Sequence, residues 1–331
     1  MIINEHGSLE GYGKYTFDEF EFESGRVLEN VEVEYLLTGT PKYDEEGNIV
    51  NAIVFCHRFN SNYSSITDIN DFMKEGGPMD KNDFFYISIT SLGFPESCSP
   101  STTGLKHNFP SYTIKDRVNF KRQFLKEKLN LDNVLGIAGR GLGGYECYMW
   151  ACEYPDEMEF IMVSTSSYKT NGYRYVVSKG FDSIIESSDD FYKDTYSESL
   201  SKIMVSINRV LYSNYFSKRI FQTMSNDEID VLMDDFVDEG LFIDIYDFKF
   251  RNDAILEYNV EDKLSNIKAK AFIVSPSDDL YYSPVYDTLP LKDLIKDSKI
   301  LIMESKKRHD DVEDYTIIED DIKEFLKQFK K

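Results

Sequence analysis

Three positions carry residue types suited to acyl-transfer chemistry. The first lies in "LGIAGRGLGGYECYMWA", Leu135 to Ala151, which reads as an apolar strand, a glycine-dense turn and a helix. A serine nucleophile presented at such a turn follows the pattern G-x-S-x-G. The turn is so sharp that only small residues fit two places before and after the nucleophile, and the nucleophile itself is held at positive φ. Gly139, Gly143 and Gly144 meet that need, but the serine position holds Gly141. Glycine relieves the strain of positive φ and removes the attacking oxygen. Downstream, Asp278 follows an apolar run in "FIVSPSDDLYYSP", and His309 follows the next one in "LIMESKKRHDDVEDY". Nucleophile position, acid, then histidine is the chain order of one class of triad hydrolases. In that role His309 is the general base and Asp278 orients its ring.

A rival reading takes Gly139, Gly141 and Gly144 as G-x-G-x-x-G, a dinucleotide fingerprint between strand and helix. Its acidic ribose ligand would be Glu157 or Glu159, which precede the next strand instead of ending it. Substitute nucleophiles are scarce. Cys147 lies six residues past Gly141 along the helix and is expected in the core; Cys98 lies in the loop "SLGFPESCSP". Ser164 and Ser166 follow the next strand with no base placed for them, and His57 in "FCHRFN" reads as structural. Without a nucleophile the acyl-enzyme route has no starting atom.

The elements that must position these residues alternate. "VEVEYLLTG" from Val31, "NAIVFCH" and "FFYISIT" read as strands, the last two as fully apolar runs buried on both faces. "TIKDRVNFKRQFLKEKLN" has a helical stripe, and Thr113 with Asp116 resembles a capping box. The helix after the glycine turn is expected to stop before Pro155, and "EFIMVSTSS" to form the following strand. Strands alternating with helices indicate a parallel α/β sheet. From about Tyr168 the pattern turns helical. It resumes strand–helix alternation at "AKAFIVSPSDD" and "SKILIMES", then a C-terminal helix. The expected organisation is a core over 1–167, a helical insertion over 168–262 and a second core segment over 263–331.

The net charge of the 331 residues is −22, a field that repels polyphosphate backbones and anionic membrane surfaces. Nucleic-acid and membrane partners are therefore not expected. No signal peptide is visible, and no run approaches the roughly 18 apolar residues of a membrane helix. Cys56, Cys98, Cys147 and Cys152 show no C-x-x-C spacing, which suits reduced thiols in a cytoplasmic protein. The 24 Phe and 23 Tyr suffice for a packed core and could also line an apolar ligand cleft.

The blocks "IVFCHRFNSN", "FFYISITSLGFPESCSPSTTG", "FPSYTIKD", the glycine turn, "SPSDDLYYSP" and "RHDD" together resemble the homoserine O-acetyltransferase family. The resemblance implies an α/β-hydrolase fold, a mostly parallel central sheet flanked by helices, with a helical lid insertion. It places Gly141 where the acyl-accepting serine stands, Asp278 at the triad acid and His309 at the triad base. It also implies an oxyanion hole from the backbone N–H groups of Leu142 and of Arg58 or Phe59. Asp310 would meet a substrate amine, and Lys179 would stand near a lid-side arginine that holds a substrate carboxylate. It implies no bound cofactor, acetyl-CoA or another acyl donor as substrate, a small-molecule acceptor, and a homodimer joined through the lid helices. The sequence departs from the family in lacking the serine, in having Arg308 before His309 and in reading "SPSTT" where the family has G-S-T. Arg140 and Arg308 flank triad positions and read as offsets to local acidity more than as anion ligands. Three readings stay open. The protein is a member without nucleophilic catalysis that keeps a ligand cleft; or an acyltransferase or esterase whose natural residue 141 is Ser; or an enzyme using Asp278 and His309 with a different nucleophile.

Overall fold

The computed structural model describes residues 2–3, 9–193, 195–304 and 312–331. The strands are β1 Ile2–Ile3, β2 Leu9–Glu21, β3 Val27–Gly39, β4 Ala52–Cys56, β5 Phe85–Ile89, β6 Val134–Arg140, β7 Met158–Ser164, β8 Lys270–Pro276 and β9 Ser298–Met303. They form one sheet in the order β1-β2-β3-β5-β4-β6-β7-β8-β9. β2 and β3 form an antiparallel hairpin, and β3 runs antiparallel to β5. From β5 onward every neighbour is parallel. β4, β5 and β6 are buried at every position, which is why they read as continuous apolar runs rather than as alternation.

The helices are α1 Asn70–Met73, α2 Ile114–Leu129, α3 Leu142–Glu153, α4 Gly172–Glu186, α5 Glu198–Tyr215, α6 Lys218–Thr223, α7 Asn226–Leu241, α8 Ile245–Leu256, α9 Leu291–Leu294 and α10 Glu319–Lys327. The Thr113–Asp116 capping box is formed: the Thr113 hydroxyl accepts from the Asp116 N–H and the Asp116 carboxylate accepts from the Thr113 N–H, satisfying two otherwise orphaned N–H groups. α3 ends at Glu153, two residues before Pro155. The core divides about the sheet. α2, α3 and the buried faces of α4, α5 and α8 pack on one side, and Ile66, Phe72 and α10 on the other. α4 to α8 all lie between β7 and β8, so the chain leaves the parallel sheet at Ser164 and re-enters it at Lys270. Among the described residues, no helix is long and apolar enough to cross a membrane.

The hairpin is where sequence periodicity is least informative. β3 begins at Val27, four residues before the alternation that identifies it, and β2 carries no clear strand signal. β2 is specified by its partner. A β-carbon on Gly13 would stand 2.5 Å from the Tyr35 hydroxyl oxygen, so the glycine inside the strand makes room for a cross-strand ring.

Candidate active site

The glycine turn joins β6 to α3, and Gly141 has φ 54° and ψ −117°. That is the positive-φ geometry in which a strand-to-helix turn projects a side chain over the C-terminal edge of the sheet. The turn is held by three hydrogen bonds. Gly141 N–H donates to the Ser164 carbonyl (3.0 Å), Gly144 N–H to the Gly141 carbonyl (3.0 Å), and the Ser166 hydroxyl to that same carbonyl (2.8 Å). The neighbouring glycines are required by packing. A β-carbon would stand 2.3 Å from the Gly143 carbonyl oxygen if placed on Gly139, 2.0 Å from the Cys56 carbonyl oxygen on Gly143, and 2.4 Å from Ser166 Oγ on Gly144. Gly141 differs: there, among the described residues, the nearest atoms would be Arg58 Cβ at 3.9 Å and the Thr165 carbonyl oxygen at 4.0 Å, ordinary van der Waals contacts. The fold leaves room for a side chain at the one position where catalysis would need it.

The oxyanion side lies at the end of β4, whose Cys56 is in register with Gly139 of β6. His57 is fully buried. Ser91 N–H donates to its Nε2 (2.9 Å), so the ring proton is on Nδ1, which donates to the Arg58 carbonyl (3.0 Å). Burial first, and then the charge of Lys121, hold His57 well below its ordinary value. A neutral ring with both nitrogens engaged positions the loop that follows; it is no base. Beneath it Glu146, also fully buried, pairs with Arg117 (2.5 Å) and Lys121 (2.9 Å) and accepts from Ser91 Oγ (2.9 Å). Burial alone would push the Glu146 carboxyl up, but Arg117 and then Lys121 pull it down to about 2.

Arg58, Phe59 and Leu142, the expected oxyanion-hole residues, line one cavity of about 210 Å³ together with Gly141. Leu142 opens α3, so its N–H has no acceptor within the helix. The same cavity is walled by Asn60, Arg174, Leu211, Ile255, Tyr281 and Tyr282, with Tyr212, Tyr215 and Glu239 of α5 and α7 also contributing. Arg174, and not Lys179, lines this cavity. Lys179 is half exposed, paired with Asp182 (3.1 Å), and does not line the cavity. Both residues lie on α4, and five residues turn a helix by about 140°, so they face different ways. Arg174 is only 5% exposed.

Asp278 lies just past β8, beside Glu304 and opposite Lys218 and Arg219 of α6. Its neighbour Asp279 turns inward and accepts the N–H groups of Tyr281 (2.8 Å) and Tyr282 (3.0 Å). In "SDD" the second aspartate therefore closes the turn, and both line the hollow that Lys218 and Arg219 share. His309, Asp310 and Arg308 lie outside the described residues. Arg140 is buried, 3.7 Å from Asp68 and over the Tyr315 ring, which fits the offset of local acidity.

The alternatives fare less well. Cys147 is fully buried, and burial followed by a hydrogen bond with Cys56 raises its thiol well above the usual value. Burial pushes Cys98 up to about 12. Ser166 is committed to the elbow carbonyl. Glu157 is held by Arg122 (2.5 Å) and the Trp150 indole (2.8 Å), and Glu159 pairs with Lys331 (2.8 Å). Both sit at the start of β7, away from the glycine turn at the other end of the sheet, so neither serves as a ribose ligand. Among the described residues, no group of His, Cys, Asp and Glu is placed to hold a metal ion.

No protein-family profile matches the sequence. It is 36% identical over 295 residues to a "Probable acyltransferase" of Methanothermobacter thermautotrophicus, covering 89% of this chain and 91% of that one. Its structure is similar to that of homoserine O-acetyltransferase from Bacillus anthracis, with TM-score 0.84, 20% identity, and coverage of 96% and 98%. It is also similar to an acetylester hydrolase from Corynebacterium glutamicum, with TM-score 0.82, 19% identity, and 96% of each chain covered. The fold common to these structures is the α/β-hydrolase fold.

Proposed function

Because the chain belongs to the α/β-hydrolase family that includes homoserine O-acetyltransferases and esterases, we propose that it keeps that family's ligand cleft but not its serine-nucleophile step. The observation that carries this reading is Gly141 at the elbow, in a cavity lined, among the described residues, by no serine, threonine or cysteine. Tyr212 and Tyr281 in its wall are no substitutes. Burial raises the Tyr212 and Tyr281 hydroxyls well above their usual value, so neither offers a phenolate. Loss of a triad serine costs on the order of 10⁶ in turnover, and the remaining oxyanion donors then serve binding alone. Arg174 takes the role of the buried cation that meets a ligand's carboxylate, since an arginine fork matches a carboxylate in two hydrogen bonds.

The test compares the unaltered protein with Gly141→Ser on p-nitrophenyl acetate, and on acetyl-CoA with homoserine. The expected result is background turnover in the first and measurable acyl transfer or hydrolysis in the second. Turnover by the unaltered protein that disappears in His309→Ala would overturn the proposal in favour of catalysis through a different nucleophile.

A further inference from the structure

We infer that Asn171–Gly172 is a self-modifying site: the asparagine side chain cyclises onto the glycine nitrogen and leaves an aspartyl or isoaspartyl residue where the chain enters α4.

The sequence holds a single Asn-Gly pair, and it stands here. The Gly172 nitrogen attacks Asn171 Cγ. The new N–Cγ bond closes a succinimide ring, the Cγ–Nδ2 bond breaks, and the Gly172 amide proton leaves with Nδ2 as ammonia. Water then opens the ring at either carbonyl. Opening at Cγ restores the main chain and leaves aspartate. Opening at the backbone carbonyl routes the main chain through the side chain and leaves isoaspartate. Water is the only co-reactant, and nothing is oxidised or reduced.

The fold meets what this step requires. Both residues are exposed. Among the described residues, the Asn171 amide makes no hydrogen bond, and it gives α4 no side-chain cap. A β-carbon on Gly172 would find nothing within 4 Å among the same residues, so no neighbour screens the attacking nitrogen. Gly172 opens α4, so its N–H has no acceptor within the helix. The positive end of the helix dipole favours the deprotonated nitrogen that attacks. Other asparagines are tied down. Asn62 accepts from Ser64 N–H (2.9 Å), and Asn51, Asn208 and Asn252 are buried, with their amides donating to carbonyls.

The place of the pair gives the change a consequence. Thr170 N–H donates to the Tyr258 carbonyl (2.9 Å) and Val260 N–H to the Tyr168 carbonyl (3.0 Å). Tyr258 and Val260 follow α8, so these bonds tie the two ends of the helical insertion together. Asn171 is the first residue past that tie, and Arg174 of the cavity wall lies in the turn that follows. That turn holds no acidic residue. Aspartate at 171 supplies the missing N-cap, accepting from the N–H of Tyr173 or Arg174. Isoaspartate instead inserts a methylene between the pinned Thr170 and the helix. It also takes the carbonyl that accepts from Tyr175 N–H (3.2 Å) out of the main chain. One reaction thus yields a tightened and a loosened entry to α4.

The test incubates the full-length protein at mildly alkaline pH for weeks. Isoelectric focusing follows the added negative charge, and peptide mass spectrometry with fragmentation that separates aspartate from isoaspartate locates it. The first acidic species is expected to carry its change at 171, as a mixture of both products. Asn171→Gln, whose longer side chain must close a larger ring, is expected to slow that species at least tenfold, and circular dichroism melts confirm that the variant is folded. Hydrogen exchange at Tyr173 and Arg174 is expected to be slower in Asn171→Asp than in the unaltered protein, and faster in the isolated isoaspartyl form. The inference fails when another asparagine changes first in the folded protein, when 171 yields aspartate without isoaspartate, or when folded Asn171→Gln acidifies at the unaltered rate. Equal exchange in all three forms overturns the assigned effect on α4.

Discussion

Gly143 presses so closely on Cys56 that a β-carbon would stand 2.0 Å from the Cys56 carbonyl oxygen. The contact locks the start of α3 against the end of β4 and fixes the turn whatever residue stands at 141. The turn is shaped by its small residues. Gly143→Ala is therefore expected to lose about 1–3 kcal/mol or more, because backbone must move. Gly141→Ala meets no clash and carries only the cost of positive φ, about 1–2 kcal/mol. Urea unfolding of both variants reads the difference.

Glu146 is the acid between two buried cations, Arg117 and Lys121. Removing one partner of a buried network leaves uncompensated charge, at roughly 3–5 kcal/mol. Glu146→Gln is expected to destabilise by that order in chemical denaturation. The Ser91 contact to Glu146 would weaken as well, loosening the strand-end loop that seats His57.

Two buried carboxyls give a pH dependence. Asp247 holds the 99–102 loop by accepting from Ser101 N–H (2.8 Å) and the Ser101 hydroxyl (2.6 Å). Burial, and then Asp244, push it up to about 6. Asp287, which accepts from the Ser167 hydroxyl, is likewise pushed up to about 6 by burial. Between the unfolded carboxylate range and about 6, the folded protein holds more protons than the unfolded chain. Their contribution to stability is therefore fully present below that window and is lost as pH rises through it. Glu146, pulled down to about 2, acts in the opposite sense and at lower pH. Asp247→Asn is expected to lose less stability than the unaltered protein between pH 4.5 and pH 7, measured by urea unfolding at both values.

The Asp278 assignment is tested in the Gly141→Ser background, where there is activity to lose. If Asp278 orients the base, Asp278→Asn should lower turnover by up to about 10⁴. Asp279→Asn should instead disturb the turn, since Asp279 accepts the Tyr281 and Tyr282 N–H groups, and should appear as a lower melting temperature. A larger kinetic loss in Asp279→Asn than in Asp278→Asn, with unchanged melting, would reverse the assignment.

The local sequence was enough for what depends on local rules. Short apolar runs became the doubly buried strands, Thr113 and Asp116 became the capping box, Pro155 stopped the elbow helix, and the glycines marked the turn. Chain order placed Asp278 after β8, because a parallel sheet delivers every strand end to the same edge. What the sequence left undecided depends on which atoms approach from elsewhere in the chain. Only the tertiary contacts distinguish the glycines demanded by packing from Gly141, which has room for a side chain. The turn of α4 against the sheet gives the cavity Arg174 and leaves Lys179 in solvent. β2 pairs with β3, and that pairing is something no local periodicity reveals. Residue order determined that a glycine stands at position 141 of the turn; packing alone decided what surrounds it.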